Sequence, residues 1–310
     1  MVYDVSAIEK VMIIPHVIKH AAVTPDGKKI AICSIDNYIY LWDVKSGKQV
    51  GKHKQIRYYD ISHIDLSPDG KTVLLSHNSR GKVILYYPGT GRLRELELEY
   101  CPDRISSAIF SPSGEEILTG VGNTSACIWD VASGLCTRRP FMWDSPDIIS
   151  TAFSPDWEYI ATAAEDETIR IWDLRTYTPL DESIEGYDES FNYLTFSPDG
   201  TRLAAAGVTS RFVRIWDIES LELVGQPLAW HPQEVTCIAF SHDGKTIVTG
   251  CRDWNLRLWD AETGRPIGRP LTGITLPYHS IAFTPDDKRI ISVAPCNPIR
   301  IWDVSEWTRQ

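Results

Sequence analysis

One set of residues in the chain has the types that could carry out nucleophilic catalysis. His231, Thr249 and Asp253 could serve as a general base, a hydroxyl nucleophile and an orienting carboxylate. The same three residue types also form satisfied hydrogen-bond networks inside protein cores, where no reaction takes place. Most carboxylates of this chain recur at regular intervals, as turn and strand-end residues do. We therefore interpret the set as structural and predict that the protein has no catalytic residue.

Motifs for other chemistries are missing from the sequence. There is no Gly-rich phosphate loop, no His-Glu-x-x-His, no Gly-x-Ser-x-Gly and no Cys-x-x-Cys. The eight histidines are scattered without the spacing of metal ligands. We therefore predict neither a metal site nor a cofactor, and we expect that the protein is not an enzyme.

Cysteine usage and hydropathy indicate a cellular setting. The seven cysteines lack paired spacing, and Cys33, Cys127, Cys237 and Cys251 fall in or beside predicted strands, where a reduced thiol packs as a small apolar group. The amino terminus lacks the pattern of a signal peptide, and no apolar run approaches the roughly 18–20 residues of a membrane span. We expect a cytoplasmic protein, with the nucleus as the alternative, and no membrane partner.

An aromatic residue, in six of seven cases a tryptophan followed by an aspartate, recurs along the chain at intervals of 43 or 44 residues. These anchors are Trp42, Tyr86, Trp129, Trp172, Trp216, Trp259 and Trp302, of which Tyr86 is a degraded copy. A second mark, typified by Ser197-Pro198-Asp199-Gly200, precedes each anchor at a nearly fixed distance. Short alternating apolar runs lie between the marks, bounded by Gly and Pro. Two patterns in register predict seven tandem copies of one β-rich unit.

A unit of this length with four short strands and a terminal Trp-Asp resembles the WD40-repeat family. The resemblance covers the chain from end to end and implies an all-β fold, a single seven-bladed β-propeller over residues 1–310. Few residues follow Trp302-Asp303, whereas residues 1–15 hold a spare strand. We predict that this N-terminal strand completes the last blade and closes the ring. Phrases such as Gly264-Arg265-Pro266-Ile267 resemble fungal WD40 arrays in particular.

The resemblance also gives the His-Thr-Asp set a structural role. In WD40 proteins an Asp six residues before the Trp joins a hydrogen-bond network with a His, a Ser or Thr, and the Trp indole. Repeat 6 is expected to complete this network with His231, Thr249, Asp253 and Trp259. Four other repeats depart from the pattern and carry Arg80, Asn123, Ser210 and Cys296 at the Asp position.

The resemblance implies that partners dock on one face, formed by the loops that lead into the first strand of each repeat and by the turns between the second and third strands. We call this the leading-loop face. Residues that project there differ from repeat to repeat, as a selective binding surface would require. The candidate partner-binding residues are Lys19, Asp60, Arg104, Asp147, Asn192, Trp230, Glu234, Arg252, Trp254, Tyr278 and His279. Repeats 5 to 7 are expected to form the main contact zone, because Trp and Arg are common interface hot spots.

The net charge of −10 constrains the class of partner. The acidic excess lies in residues 156–310, and residues 181–189 hold five acids and no base. Such a run is usually a solvated loop, and the alternative is a docking site for the basic segment of a partner. Nonspecific nucleic-acid binding needs a concentrated basic surface, which argues against it here. RNA binding through Lys52, Lys54, Arg57, Arg80 and Lys82 is kept as a minor alternative.

These observations favour a non-enzymatic scaffold that recognises a protein or peptide through its leading-loop face. We expect the scaffold to be monomeric on its own. The alternative is a propeller that binds a small ligand, or performs chemistry, at its central channel, since propeller sites are assembled from several blades.

Overall fold

A computed structural model of the chain describes residues 8–12, 17–24, 26–57, 61–77, 82–97, 105–121, 125–142, 148–176, 178–180, 183–184, 191–207, 211–273, 277–278, 280–294 and 299–307. Within these residues the regular structure is β-strand and no helix occurs. The chain divides into two compact units. The four-sheet unit is Lys19–Phe191, and the three-sheet unit combines Met1–Ile18 with Asn192–Gln310.

The strands follow one another along the whole described chain. The first are β1 (Ile8–Met12), β2 (Ile18–Val23), β3 (Lys29–Ser34), β4 (Tyr38–Asp43), β5 (Lys48–Gln49), β6 (Lys54–Gln55), β7 (Ile61–Leu66), β8 (Val73–His77), β9 (Lys82–Tyr87) and β10 (Arg92–Glu97). Next come β11 (Ile105–Phe110), β12 (Glu116–Val121), β13 (Ser125–Asp130), β14 (Cys136–Met142), β15 (Ile148–Phe153), β16 (Tyr159–Ala164), β17 (Ile169–Asp173) and β18 (Thr178–Pro179). The last are β19 (Phe191–Phe196), β20 (Arg202–Gly207), β21 (Val213–Asp217), β22 (Val235–Phe240), β23 (Thr246–Cys251), β24 (Leu256–Asp260), β25 (Pro266–Leu271), β26 (Ser280–Phe283), β27 (Arg289–Val293) and β28 (Ile299–Asp303).

The strands form seven sheets with the same connectivity. The four-sheet unit holds β2-β3-β4-β5, with β6 also on β4, then β10-β9-β8-β7, β11-β12-β13-β14 and β15-β16-β17-β18. The three-sheet unit holds β19-β20-β21, β22-β23-β24-β25 and β1-β28-β27-β26. Successive strands of a repeat pair antiparallel, as in β22-β23 and β23-β24. This is the topology of a seven-bladed β-propeller, one sheet to a blade, and it confirms the predicted fold class.

The N-terminal strand completes the last sheet, as predicted. β1 pairs antiparallel with β28, with Met12 opposite Ile299 and Val11 opposite Arg300. Without β1, the outer edge of β28 would present unpaired N–H and C=O groups. The prediction of one domain over residues 1–310 stays a prediction.

Apolar side chains on both faces of each sheet form the core within each unit. In the four-sheet unit, Trp172 packs with Leu118 and Ile128 of the preceding repeat. In the three-sheet unit, Trp259 packs with Ile215, and Trp302 packs with Leu258, again from the preceding repeat. A single four-stranded sheet could not remove both of its apolar faces from water. The repeat therefore gains its stability from its neighbours.

In four repeats the indole N–H of the anchor tryptophan donates to a hydroxyl ten residues earlier, on the second strand of the same sheet. The pairs are Trp129 with Thr119 at 2.8 Å, Trp172 with Thr162 at 3.0 Å, Trp259 with Thr249 at 2.9 Å and Trp302 with Ser292 at 2.8 Å. Ile32 stands at this place in the first repeat, and the enclosed Nε1 of Trp42 has no acceptor among the described residues. A buried donor needs such a partner, which explains the recurring Ser or Thr.

The Ser/Thr-Pro-Asp-Gly mark is a turn held by its own side chains. In repeat 6 the Ser241 hydroxyl donates to Asp243 at 2.6 Å and accepts the N–H of Thr246 at 2.9 Å. Gly244 follows at a φ of 70°, in the left-handed region that glycine enters without strain. In repeat 7 the hydrogen bond from Thr284 contributes most to lowering the pKa of Asp286.

Two departures from this mark compensate each other in the three-sheet unit. Asp287 replaces the turn glycine of repeat 7 at a φ of 52°, and His242 replaces the proline of repeat 6. The Asp287 carboxylate accepts the backbone N–H of His242 at 2.8 Å and that of Asp243 at 3.0 Å, and it lies 2.9 Å from Nδ1 of His242. A proline at position 242 would lack one of these donors.

The role of β1 can be tested by deletion. Removing residues 1–12 leaves β28 with an open edge, and it should lower the free energy of unfolding by about 2–4 kcal/mol, since each lost strand hydrogen bond contributes about 1 kcal/mol. Urea unfolding followed by tryptophan fluorescence measures this. The control is removal of residues 1–7, which precede β1. Equal midpoints for the two truncations would show that β1 does not stabilise the last sheet.

Candidate protein-interaction surface

Two tryptophans of repeat 6 expose their side chains to solvent. Trp230 precedes β22 and is 73% exposed, and Trp254, in the turn between β23 and β24, is 47% exposed. The other large apolar side chains of this repeat, such as Trp259, are buried. Leaving an indole in water forgoes a large hydrophobic contribution to stability. Exposed aromatic side chains at loop positions therefore point to contacts made with another molecule.

The turn that carries Trp254 is tightly built. The N–H of Trp254 donates to the carbonyl of Cys251 at 3.0 Å, and the N–H of Cys251 donates to the carbonyl of Asn255 at 3.2 Å. This geometry places Trp254 at a φ of 69°. A bulky residue rarely takes the left-handed region, whereas Asn does so more readily, and Asn37 takes it at the same position of the first repeat. The local fold thus gives no reason for a tryptophan here.

Arg252 and Glu234 join this turn to the loop before β22. Nε of Arg252 lies 3.0 Å from Oε2 of Glu234, and the backbone N–H of Arg252 donates to the Glu234 carbonyl at 2.8 Å. Both side chains are exposed enough that the ion pair contributes at most about 1 kcal/mol to stability. The pair fixes the position of the two loops and leaves the guanidinium accessible.

His231 lies buried beneath Trp230 and anchors the loop. Its Nδ1–H donates to the carbonyls of Arg211 and Leu228, each at 3.1 Å, and its Nε2 accepts the Thr249 hydroxyl at 2.8 Å. Thr249 in turn accepts the Trp259 indole N–H. Burial, reinforced by the charge of Arg257, lowers the pKa of His231 to about 4. The ring is therefore neutral near pH 7.

Asp253 does not take the place in this network that the sequence led us to expect. Its carboxylate binds Arg257, with Nη1 at 3.1 Å and Nη2 at 2.6 Å, and it also accepts the side-chain amide of Asn255 at 2.9 Å. The carbonyls of Arg211 and Leu228, rather than the Asp253 carboxylate, accept the hydrogen bonds of the His231 Nδ1–H. The predicted hydrogen bonds among His231, Thr249 and Trp259 are confirmed. The predicted place of Asp253 in this network is wrong, because its carboxylate pairs more strongly with Arg257.

Tyr278 is not an exposed contact, contrary to the expectation from sequence. It is 1% exposed and packs with Cys237 and Leu256 of repeat 6. Its hydroxyl lies 3.5 Å from the carbonyl of Trp254. A large ring in the loop before β26 fills the space that a Cβ at Gly250 would enter. The residue therefore supports the turn of Trp254 from below.

The structure adds two exposed aromatics that sequence analysis missed. Tyr193 is 36% exposed and Phe212 is 40% exposed. Phe212 follows Arg211, whose carbonyl accepts a hydrogen bond from His231, and Arg252 and Glu234 lie near enough to Tyr193 for their charges to act on its phenol. Tyr193 lies in β19 and Phe212 directly precedes β21, and the sequence pattern gave no signal that either side chain would be exposed. We call Tyr193, Phe212, Trp230 and Trp254, with the Glu234–Arg252 pair, the aromatic patch.

The other predicted contacts are not brought to this patch. Lys19 is half-buried in β2, and it belongs to the four-sheet unit. Asn192 is half-buried in β19, and its Oδ1 is enclosed without a donor among the described residues. Asp60, Arg104, Asp147 and His279 lie outside the described residues. Their contribution stays a prediction.

In the part of the chain that the structure describes, no three His, Cys, Asp or Glu side chains are grouped so that they could hold a metal ion. No helix among those residues has the length and apolar character to cross a bilayer.

Comparison with known proteins identifies the class. Four segments, residues 10–43, 141–173, 179–217 and 224–260, match the WD40 family model, described as WD domain, G-beta repeat. Together with the seven sheets, these matches show that the chain belongs to the WD40-repeat family. Propellers of this family generally act as protein-interaction scaffolds that bind proteins or peptides, and they are typically not enzymes.

Two relatives are similar to part of the chain. The meiotic recombination protein rec14 of Schizosaccharomyces pombe is 31% identical over 115 residues, which are 37% of this chain and 37% of that protein. An uncharacterized WD repeat-containing protein, sll1491 of Synechocystis, is 29% identical over 113 residues, 36% of this chain and 31% of that protein. The matches thus span about a third of each relative. The yeast match gives limited support to the fungal resemblance.

The conformation of Trp254 leads to a stability prediction. Trp254→Asn relieves an unfavourable backbone conformation and should raise the free energy of unfolding by about 1 kcal/mol. Urea denaturation is the measurement. The matched control is Trp230→Asn, which removes an exposed indole at an unstrained position and should give no gain. A lower midpoint for Trp254→Asn would mean that the indole stabilises the fold itself.

Burial of His231 predicts a pH dependence. Between about pH 6.5 and pH 4 the unfolded chain binds a proton at this residue and the folded chain does not. The stability due to neutral His231 is therefore present above pH 6.5 and decreases by up to about 3 kcal/mol as the pH falls to 4.

The measurement is the difference in unfolding free energy between the natural protein and His231→Asn at several pH values. The advantage of the natural protein should shrink across this window, while His63, which titrates in both proteins, cancels. A difference that stays constant with pH would contradict the neutral, buried state of His231.

Proposed function

We propose that this protein is a non-enzymatic scaffold that binds a protein or peptide through the aromatic patch on the leading-loop face of repeats 5 and 6. The single observation that carries the proposal is the exposure of Trp230 and Trp254 in two loops that the Glu234–Arg252 ion pair joins. Tryptophan and arginine contribute most often to the binding energy of protein interfaces. A residue kept in an unfavourable backbone conformation, as Trp254 is, further supports a functional constraint.

The chemistry of repeat 6 supports a scaffold rather than a hydrolase. Thr249 is the only hydroxyl in hydrogen-bond reach of His231 among the described residues, and it is fully buried. Its oxygen already accepts the Trp259 indole N–H. A substrate could not approach this hydroxyl without unfolding the loop. The His-Thr pair therefore serves the fold.

The cellular setting and the assembly state are also proposals. Cys33, Cys237 and Cys251 are free and buried, and burial raises the pKa of the Cys33 and Cys237 thiols to about 12. Such thiols are unreactive, which suits a reducing cytoplasm or nucleus. We propose a monomer in the absence of its partner. We also propose that the partner has a basic segment. This proposal is based on the acidic residues of 181–189, of which the structure describes only residues 183–184.

The test is binding by a variant of the patch. Trp254→Ala with Arg252→Ala should reduce the affinity for the natural partner by at least about thirtyfold, the effect of losing an interface hot spot of about 2 kcal/mol. The partner would be captured from an extract of the source cells, identified by mass spectrometry, purified and titrated calorimetrically. The variant should unfold at nearly the same urea concentration as the natural protein.

The matched control changes an exposed leucine and an exposed, ion-paired arginine in the four-sheet unit. Leu135 is 64% exposed, and Arg175 pairs with Asp173 on the surface. Leu135→Ala with Arg175→Ala should leave the affinity unchanged. Equal affinities for the patch variant and the natural protein would place the binding surface elsewhere.

A further inference from the structure

An arginine occurs two residues before the anchor tryptophan in each of the last four repeats. These residues are Arg170, Arg214, Arg257 and Arg300. Repeat 6 shows what this position requires, because Arg257 is almost enclosed and makes two hydrogen bonds to the Asp253 carboxylate. Paired in this way, the guanidinium satisfies its N–H groups and its charge.

Repeat 7 lacks the carboxylate. The residue six before Trp302, which corresponds to Asp253 in repeat 6, is Cys296. Nε and Nη1 of Arg300 are both enclosed and have no hydrogen-bond partner among the described residues. Burial lowers the pKa of Arg300, as expected when a cation is taken from water without compensation. Enclosing a charged group without a partner is costly, so proteins rarely do so without a reason.

Arg300 belongs to the same unit as the aromatic patch and is linked to it through Tyr278. Its charge acts on Tyr278, and the Tyr278 hydroxyl lies 3.5 Å from the backbone carbonyl of Trp254. Tyr278 is therefore a neighbour of Trp254 and lies near enough to Arg300 for the two charges to interact. A ligand that contacts the Trp254 indole can also bring an anionic group towards Arg300.

We propose that Arg300 is the docking point for a side-chain carboxylate of an acidic peptide segment in the partner, with an adjacent apolar residue of that segment on Trp254. This inference rests on the proposed function. The partner carboxylate supplies the negative charge that Asp253 supplies to Arg257. A carboxylate fits better than a phosphate group, because Asp253 acts on the neighbouring Tyr278 and would repel the larger negative charge.

The first experiment identifies the peptide class. A display library of random 12-residue peptides is selected against the full natural chain, and one enriched peptide is synthesised for calorimetry. The expected motif has an Asp or Glu next to an apolar residue. Arg300→Met should weaken the peptide at least tenfold, and replacing its acid by the matching amide should have little further effect on that variant. Arg269→Met, an exposed arginine on β25, is the control and should bind normally.

The second experiment measures stability. If Arg300 has no partner within the fold, Arg300→Met removes an uncompensated charge and should leave the melting temperature unchanged or raise it. Arg257→Met leaves Asp253 without its partner and should lower the melting temperature clearly. A loss for Arg300→Met as large as that for Arg257→Met would reveal an internal partner and overturn the inference.

Three further outcomes of the peptide selection would overturn the inference. A selected motif without an acid, no selected motif, or equal peptide affinity for Arg300→Met and the natural protein overturns the inference. The proposed function is tested separately, since Trp254→Ala with Arg252→Ala can abolish binding of the natural partner while Arg300→Met preserves it. That combination would keep the aromatic patch as the binding surface and reject the carboxylate at Arg300.

Discussion

The buried aromatic side chain that ends each third strand is the interaction on which the rest of the structure depends. Trp172, Trp259 and Trp302 fill the space between their own sheet and the preceding one, while their indole N–H groups reach back to a hydroxyl on the second strand. The ring supplies hydrophobic contact between repeats, and the hydrogen bond fixes the register of two strands within a repeat. Because a lone sheet would leave one of these faces in water, the repeats stabilise one another.

The turns show how a repeat can lose its consensus residues and remain satisfied. Asp287 stands where most repeats have glycine, and its carboxylate is used by the backbone N–H groups of His242 and Asp243. Trp157 also replaces a glycine, and its ring stacks on Phe153 with centroids 4.3 Å apart. In both places a strained backbone is compensated by contacts of the new side chain. Departures of this kind belong to the scaffold.

Trp254 and Arg300 differ from those compensated departures. Trp254 has the same backbone conformation as Asn37 in the first repeat, yet about half of its surface is exposed to solvent. Arg300 has the same place as Arg257 and lacks the carboxylate that Asp253 supplies. Each residue lowers the stability of the fold at its position, Trp254 through its backbone conformation and Arg300 through its enclosed charge. Both lie near Tyr278. Comparison between the repeats thus separates residues whose contacts stabilise the fold from residues whose place the fold does not explain.

The sequence by itself determined the fold class, the seven repeats and the pairing of the N-terminal strand with the last sheet. Period and turn chemistry are local properties, and each is repeated often enough to be read without a structure. It also singled out Trp230, Trp254, Arg252 and Glu234, since bulky or charged residues stand there against a regular background.

Only the tertiary structure decided which of these side chains reach the surface together. It buried Tyr278, paired Asp253 with Arg257 rather than His231, and brought Tyr193 and Phe212 to the patch. Spacing along the chain cannot predict such outcomes, because they depend on the residues that approach from neighbouring repeats or compete for the same group. The exposure of a side chain and its choice of partner depend on how the sheets pack against one another, which the sequence pattern of a single repeat does not contain.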